Sequence, residues 1–168
     1  LETVRGMLDQ PRYLEWRSLA ILMLAQSERP ADRQRIRTTF AAKQRLGSTF
    51  NLAAWATAYL TIEGASGVER IRHWYLERPD RSREELQEIV KALSVIAGAE
   101  ITLREPVAAA YRALLETHPS LAPEVSRDLI TWRRWDFVEQ IRGIRAAIAK
   151  QAPLGAYALG LYLRSAAG

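Results

Sequence analysis

Apolar residues recur along this chain at three- and four-residue spacings, the repeat of one helix face, and no segment keeps up the alternation of a strand. Residues 66–98 show the pattern most fully. Val68, Ile71 and Tyr75 stand at i, i+3 and i+7. Leu86, Ile89, Val90, Leu93 and Ala97 form a second stripe, wide enough to face a core. Pro79 separates the two, because the residue before a proline is pushed out of the α region. Ser66-Gly67-Val68-Glu69 and Ser82-Arg83-Glu84-Glu85 each read as a capping box, in which a hydroxyl and a glutamate satisfy two first-turn N–H groups. Gly98 suits a left-handed C-terminal cap. The segment is a helical hairpin, and neither helix can bury its stripe without neighbours.

The rest of the chain varies this unit. Val4 and Leu8 mark a short helix within residues 1–10, interrupted by Pro11. Tyr13 to Gln26 comes next, and its run Leu19 to Ala25 reads as buried core. Asp32 is placed to cap a helix that carries Ile36 and Phe40 to about Leu46, where Gly47-Ser48 breaks it. Phe50 to Glu63 turns Leu52, Trp55, Ala56, Tyr59 and Leu60 inward. Thr102-Leu103-Arg104-Glu105 reads as a third capping box, ahead of Val107, Tyr111 and Leu114. Ser120 is placed to cap a helix with Val125, Leu129 and Ile130 inward. Asp136 with Glu139 opens another, whose stripe is Phe137, Ile141, Ile144 and Ile148. Pro153 starts the last helix, with Leu154, Tyr157, Ala158 and Leu161 inward.

These helices pair off, and the second members begin near residues 13, 49, 82, 120 and 153. Such spacing is the signature of a helical repeat. Leu52, Ala58, Ile62 and Gly64 recur 34 positions on as Leu86, Ala92, Ile96 and Gly98. An apolar residue precedes an aromatic by four at Ile36/Phe40, Ile71/Tyr75 and Val107/Tyr111. The expected fold is all-α, a right-handed α-solenoid of about five antiparallel helix pairs. Its units are approximately 1–27, 31–64, 65–98, 102–132 and 135–166, in one domain.

Ala58-Tyr59-Leu60, Glu63-Gly64-Ala65 and Gly67-Val68-Glu69-Arg70-Ile71, with the later run Asp128 to Asp136, resemble a HEAT-like repeat array. The run through Trp132 and Trp135 is similar to that of an uncharacterised bacterial HEAT-like group, which continues a helix into W-x-x-W and then starts the next. The resemblance covers roughly residues 30–165. It implies a solenoid that binds partners and uses no cofactor. Trp132, Trp135 and Asp136 also resemble a second HEAT-like group, the bacterial alkylpurine DNA glycosylases, in which tryptophans beside an aspartate hold a damaged nucleoside. That resemblance implies Arg127, Arg133 and Arg134 on phosphates. The expectation from packing is different: the indoles fill the joint between two helices and Asp136 caps the second.

Composition changes this picture little. At 168 residues the chain can bury a sizeable core. The longest apolar run is too short to span a bilayer. Zero cysteines exclude disulfides, thiolate metal sites and cysteine nucleophiles, and leave the compartment open, with the cytoplasm the default. The chain begins at Leu1 rather than methionine, so the lack of a signal peptide carries no information.

Of the net charge of +5, most lies in residues 1–50, chiefly in the basic segment Arg29 to Arg45. Such a segment is a route to nucleic acid. On a helical wheel, however, its cations spread around the circumference, where a phosphate-tracking stripe would be one-sided.

The common catalytic signatures are missing: there is no Walker A loop, dinucleotide fingerprint, HExxH or nucleophile elbow. Ser66 has a capping role, and His73 and His118 lack metal-ligand spacing. Glu84, Glu85 and Glu88 suit the helix start they occupy. No catalytic residue, metal or cofactor is assigned. The expected activity is protein binding through the inner surface made by the second helices. Arg17, Gln87, Lys91 and Arg127 should point there, away from the apolar stripes, and Trp132, Arg134, Trp135 and Asp136 form a second candidate surface.

Overall fold

A computed structural model describes residues 2–10 and 16–168. The described residues hold ten α-helices and no strand. They are α1 (Glu2–Asp9), α2 (Arg17–Ala25), α3 (Pro30–Leu46), α4 (Leu52–Glu63) and α5 (Ala65–Ile71). After them come α6 (Arg83–Ala99), α7 (Arg104–Thr117), α8 (Ala122–Thr131), α9 (Val138–Ile148) and α10 (Pro153–Ala167). The break assigned to Pro11 and the helix start assigned to Tyr13 lie outside the described residues. No helix among the described residues is long and apolar enough to cross a membrane.

The even-numbered helices adjoin in sequence order, α2 on α4, α4 on α6, α6 on α8 and α8 on α10. The odd-numbered helices lie across them. Arg5 of α1 reaches Asp32 of α3, and the Phe40 ring of α3 stacks on Tyr75, 6.0 Å between centroids. The segment holding Tyr75 packs on α7, whose Arg112 lies over Phe137 ahead of α9. The apolar/aromatic pairs at Ile36/Phe40, Ile71/Tyr75 and Val107/Tyr111 are all fully buried. Three helices therefore put the same two positions into one core.

Local chemistry sets the helix ends, and several differ from the sequence expectation. The Ser82 capping box forms: Ser82 Oγ accepts the Glu85 N–H (3.2 Å), and Glu85 Oε2 accepts the Ser82 N–H (3.1 Å). The Ser66 box does not. Gly64, with φ 59 and ψ −137, turns the chain so sharply that α5 begins at the next residue. That conformation favours glycine. Ser66 falls inside the first turn, and its hydroxyl donates back to Glu63 O (2.9 Å). A Cβ at Gly67 would stand 2.9 Å from that of Glu63, so this tight corner needs both glycines.

The Thr102 box is likewise absent, because Glu100 accepts from both the N–H and the hydroxyl of Thr102. Residues Ile101–Leu103 form a 3-10 turn. Gly98 is not a left-handed cap. It lies within α6, which ends at the extended Glu100, and Arg104 Nε satisfies Ala97 O (3.2 Å). Ser120 sits in a 3-10 turn and makes no cap bond.

After α5 the helix widens into a π-turn, Arg72–Leu76, with Glu77 N–H bonded to Arg72 O. The wider turn brings two consecutive residues, Tyr75 and Leu76, fully into the core. Arg81 then ties the start of α6 to its neighbours. It donates to Glu85 Oε1 (3.0 Å), to Gln44 O at the end of α3 (2.9 Å) and to Trp74 O in the π-turn (3.0 Å), and it lies over the Tyr75 ring.

The largest difference concerns α10. The sequence stripe Leu154, Tyr157 and Leu161 is exposed, at 85, 63 and 41 %. The helix buries Ala156, Leu159, Gly160 and Tyr162 instead. Its small residues allow close approach to α9 and to the start of α8. A Cβ at Gly155 would lie 3.1 Å from Pro123, and one at Gly160 would lie 3.4 Å from Arg145. The Tyr162 hydroxyl, at the end of this face, donates to Arg134 O. The apolar run of α2 splits in the same way: Ala20, Ile21, Leu24 and Ala25 are buried, whereas Leu19, Leu22 and Met23 are exposed.

Candidate functional site

Three grooves run along the even-numbered helices. The first, about 230 Å³, lies between α2, α4 and α6, over Ser18, Leu22, Ala53, Ala54, Thr57, Lys91, Ala92 and Val95. The small side chains of α4 form its floor. The second, about 460 Å³, lies between α6 and α8 and is lined by Gln87, Val90, Lys91, Ser94, Val95, Glu124, Arg127 and Asp128. The third, about 320 Å³, lies between α8 and α10 and includes Arg127, Ile130, Ala158 and Leu161. Lys91 and Val95 belong to the first two grooves, and Arg127 to the last two. The grooves therefore form one band across five helices.

The middle groove brings together three of the residues expected on the second helices: Gln87, Lys91 and Arg127. Lys91 and Arg127 are exposed at its rim, and Lys91 pairs with Glu88 at 2.5 Å. Gln87 is half-buried and donates to Glu124 (3.2 Å), which also accepts from Arg83 (2.6 Å). Arg17 is elsewhere, at the start of α2, with its guanidinium 5.7 Å from the centroid of the Phe50 ring.

The sequence reading missed the centre of this groove. Asp128 accepts hydrogen bonds from Ser94 Oγ (2.8 Å) and from Tyr111 Oη (2.7 Å). Burial, and then the neighbouring carboxylate, push the Tyr111 phenol far above its ordinary range, so it stays a neutral donor. Asp128 is thus locked into the wall between α6, α7 and α8. No local pattern marks Asp128, because Ser94 and Tyr111 reach it from two other helices.

The second candidate surface is a packed joint. The Trp132 ring stacks on Tyr111, 5.9 Å between centroids and 8° between planes. Trp135 meets Tyr162 at 5.5 Å and 54°. Both indoles are half-buried against the core. Arg133 turns the chain here with a positive φ of 55. Asp136 is not the side-chain cap of α9 that its position suggested. Its carboxylate accepts from Arg134 Nε (2.9 Å) and Arg112 (2.6 Å), and Arg134 also bonds Glu105. The hydrogen bond from Arg134, with the charge of both arginines, holds the Asp136 carboxyl below its usual range. The two cations compete successfully for the oxygens that a cap would use.

The basic segment is largely occupied by internal contacts. Arg29 pairs with Glu2 (3.0 Å), Arg33 donates to Ser27 O (3.4 Å) and Arg37 pairs with Glu63 (2.7 Å). Lys43 donates to Phe50 O (2.5 Å). His73 pairs with Glu77 (2.6 Å), and His118 Nε2 lies 2.9 Å from Arg78 O. Among the described residues, no group of three or more His, Asp or Glu side chains is placed to hold a metal ion. No family model, curated protein or solved structure matches the chain.

Proposed function

We propose that this chain is a right-handed, HEAT-like α-solenoid whose even-numbered helices bind a segment of a protein partner. One observation carries the reading. α10 has two apolar faces, and it packs the one with small residues, leaving Leu154, Tyr157 and Leu161 in solvent beside the third groove. Large exposed apolar side chains grouped next to grooves mark interaction surfaces. Val95 and Leu22 extend the apolar character along the band, and Lys91 and Arg127 give it a basic rim. The chemistry fits a segment with apolar anchors and acidic flanks. The adjoining even-numbered helices, the recurrent apolar/aromatic pairs and the 34-residue offset support the repeat architecture.

A photo-crosslinking residue at Val95 or Leu161 tests this, with Thr38 and Glu116 on odd-numbered helices as controls. Crosslinks to one protein from both Val95 and Leu161, with the Val95 crosslink lost in Leu161→Asp, are the expected result. Crosslinks from the control positions alone overturn it. The alternative is a nucleic-acid-binding protein, as an extreme an alkylpurine DNA glycosylase-type enzyme using Trp132, Trp135 and Asp136. It requires duplex binding that weakens steeply with salt, since phosphate contacts release counterions.

A further inference from the structure

We infer that the corner formed by the start of α2, the end of α3 and the α3–α4 turn binds a phosphate-type oxyanion. Arg17 and Lys43 converge there from different helices, each with its charge 5.7 Å from the centroid of the Phe50 ring. Among the described residues, neither has a carboxylate within ion-pair distance. Two cations held together with no acid between them among the described residues repel, and an anion placed between them relieves that repulsion. Burial and the Arg17 guanidinium both push the Lys43 ammonium down from its ordinary value.

Further donors face the same corner. Arg17 Nε and Asn51 Nδ2 are shut off from solvent and have no acceptor. Buried donors are paired in the great majority of cases, so two together call for an explanation. Ser18 Oγ donates to Asn51 Oδ1 (3.2 Å), which leaves the amide N–H groups as the free side of Asn51. The Asn51 backbone is left-handed, with φ 53, and α4 starts directly behind it without a side-chain cap. The Phe50 ring, beside which both cations lie, is itself exposed, so the cations stand at the protein surface. A tetrahedral oxyanion suits the set, because it offers several acceptor oxygens to donors arriving from several directions.

The site adjoins the first groove at Ser18, but its cations Arg17 and Lys43 line none of the three grooves, so either reading can fail alone. The test is an amide NMR titration of the 168-residue chain with sodium phosphate, against sodium chloride at equal ionic strength. Saturable shifts centred on Ser18, Phe50, Asn51 and Leu52 are expected with phosphate only. Arg17→Gln and Lys43→Gln should each weaken binding about tenfold, the loss of one charge-assisted hydrogen bond. Arg17→Lys and Lys43→Arg should keep it. Phenyl phosphate forms a second arm: tighter binding than inorganic phosphate assigns the site to a phosphoryl group on an organic ligand, and equal binding assigns it to the free ion. Should Lys43→Gln unfold, Arg17→Gln and the charge-preserving pair decide the matter. Equal shifts in chloride, no saturable shift, or shifts that survive Arg17→Gln overturn the proposal.

Discussion

Most ion pairs between elements involve an odd-numbered helix, and most of the exposed large apolar side chains lie on even-numbered ones. On the odd-numbered side, Arg37 and Arg70 share Glu63, Arg72 meets Glu69 and Glu77, and Arg112 meets Asp136. Arg5 of α1 goes further and pairs with the buried carboxylate Asp32 of α3, and Arg81, in the turn ahead of α6, pairs with the buried Glu85 while holding α3 and the π-turn. On the even-numbered side, Leu19, Leu22, Met23, Val95, Leu154, Tyr157 and Leu161 are exposed. The two sides share one core, so folding alone does not demand the difference. Ion pairs on one side tie elements together, whereas exposed apolar area on the other adds nothing to the stability of the monomer. The even-numbered side is therefore where substitutions should be cheap for folding.

Arg81→Ala should give the largest effect. It strands the buried Glu85 carboxylate and frees two helix-end carbonyls, at a cost of about 3–5 kcal/mol in urea unfolding. Lys91→Ala, on the exposed face of the same α6, should stay within about 0.5 kcal/mol, because Lys91 pairs only with Glu88 at the surface. Equal costs at the two positions would dissolve the contrast. Trp132→Ala comes next, at about 2–3 kcal/mol, below the cost of a fully enclosed indole because one side of the ring is already wet. A negligible change in melting would free Trp132 from its packing role and reopen the base-binding reading.

The two serines give a smaller and sharper comparison. Ser82→Ala should cost about 0.5–2 kcal/mol, because Glu85 N–H loses its acceptor. Ser66→Ala should cost less than about 0.5 kcal/mol, because its hydroxyl makes one solvent-exposed bond, to Glu63 O, and satisfies no first-turn N–H. Thermal melts of the two variants side by side decide this, and a reversed order would place the helix start at Ser66.

The smallest effect is the acid sensitivity of the α1–α3 contact. Hydrogen bonds from Arg5 and Ser27 hold the Asp32 carboxyl well below its ordinary 3.8. A depressed folded-state value stabilises above the unfolded value, and that stabilisation is lost as pH falls through it. Stability should therefore decline below about pH 4, and Asp32→Asn should flatten this part of the profile. An unaltered profile would mean that the α1–α3 pair contributes nothing.

Most inward positions were readable in the chain, because a stripe at helical spacing can be satisfied only by burial. Ile36, Phe40, Ile71, Tyr75, Leu86, Leu93, Val107, Tyr111 and Ile141 are all enclosed. The Ser82 box was readable because both its partners lie within four residues. The Ser66, Thr102 and Asp136 caps misled, because a nearer or stronger partner took each side chain: Glu63 O, the Glu100 carboxylate, and Arg134 with Arg112. Of the candidate site, Gln87, Lys91 and Arg127 were legible as polar positions on second helices. Glu124 and Asp128 were not, because their partners come from other helices.

The sequence by itself determined the helices and most of the core, since periodicity and breakers act over a few residues. Tertiary structure alone decided which face of α10 and α2 is buried. Both faces are apolar, so local pattern cannot choose between them. The choice depends on how closely Gly155, Ala156 and Gly160 let α10 approach its neighbours. It also places Leu154, Tyr157 and Leu161 on the surface that we assign to a partner.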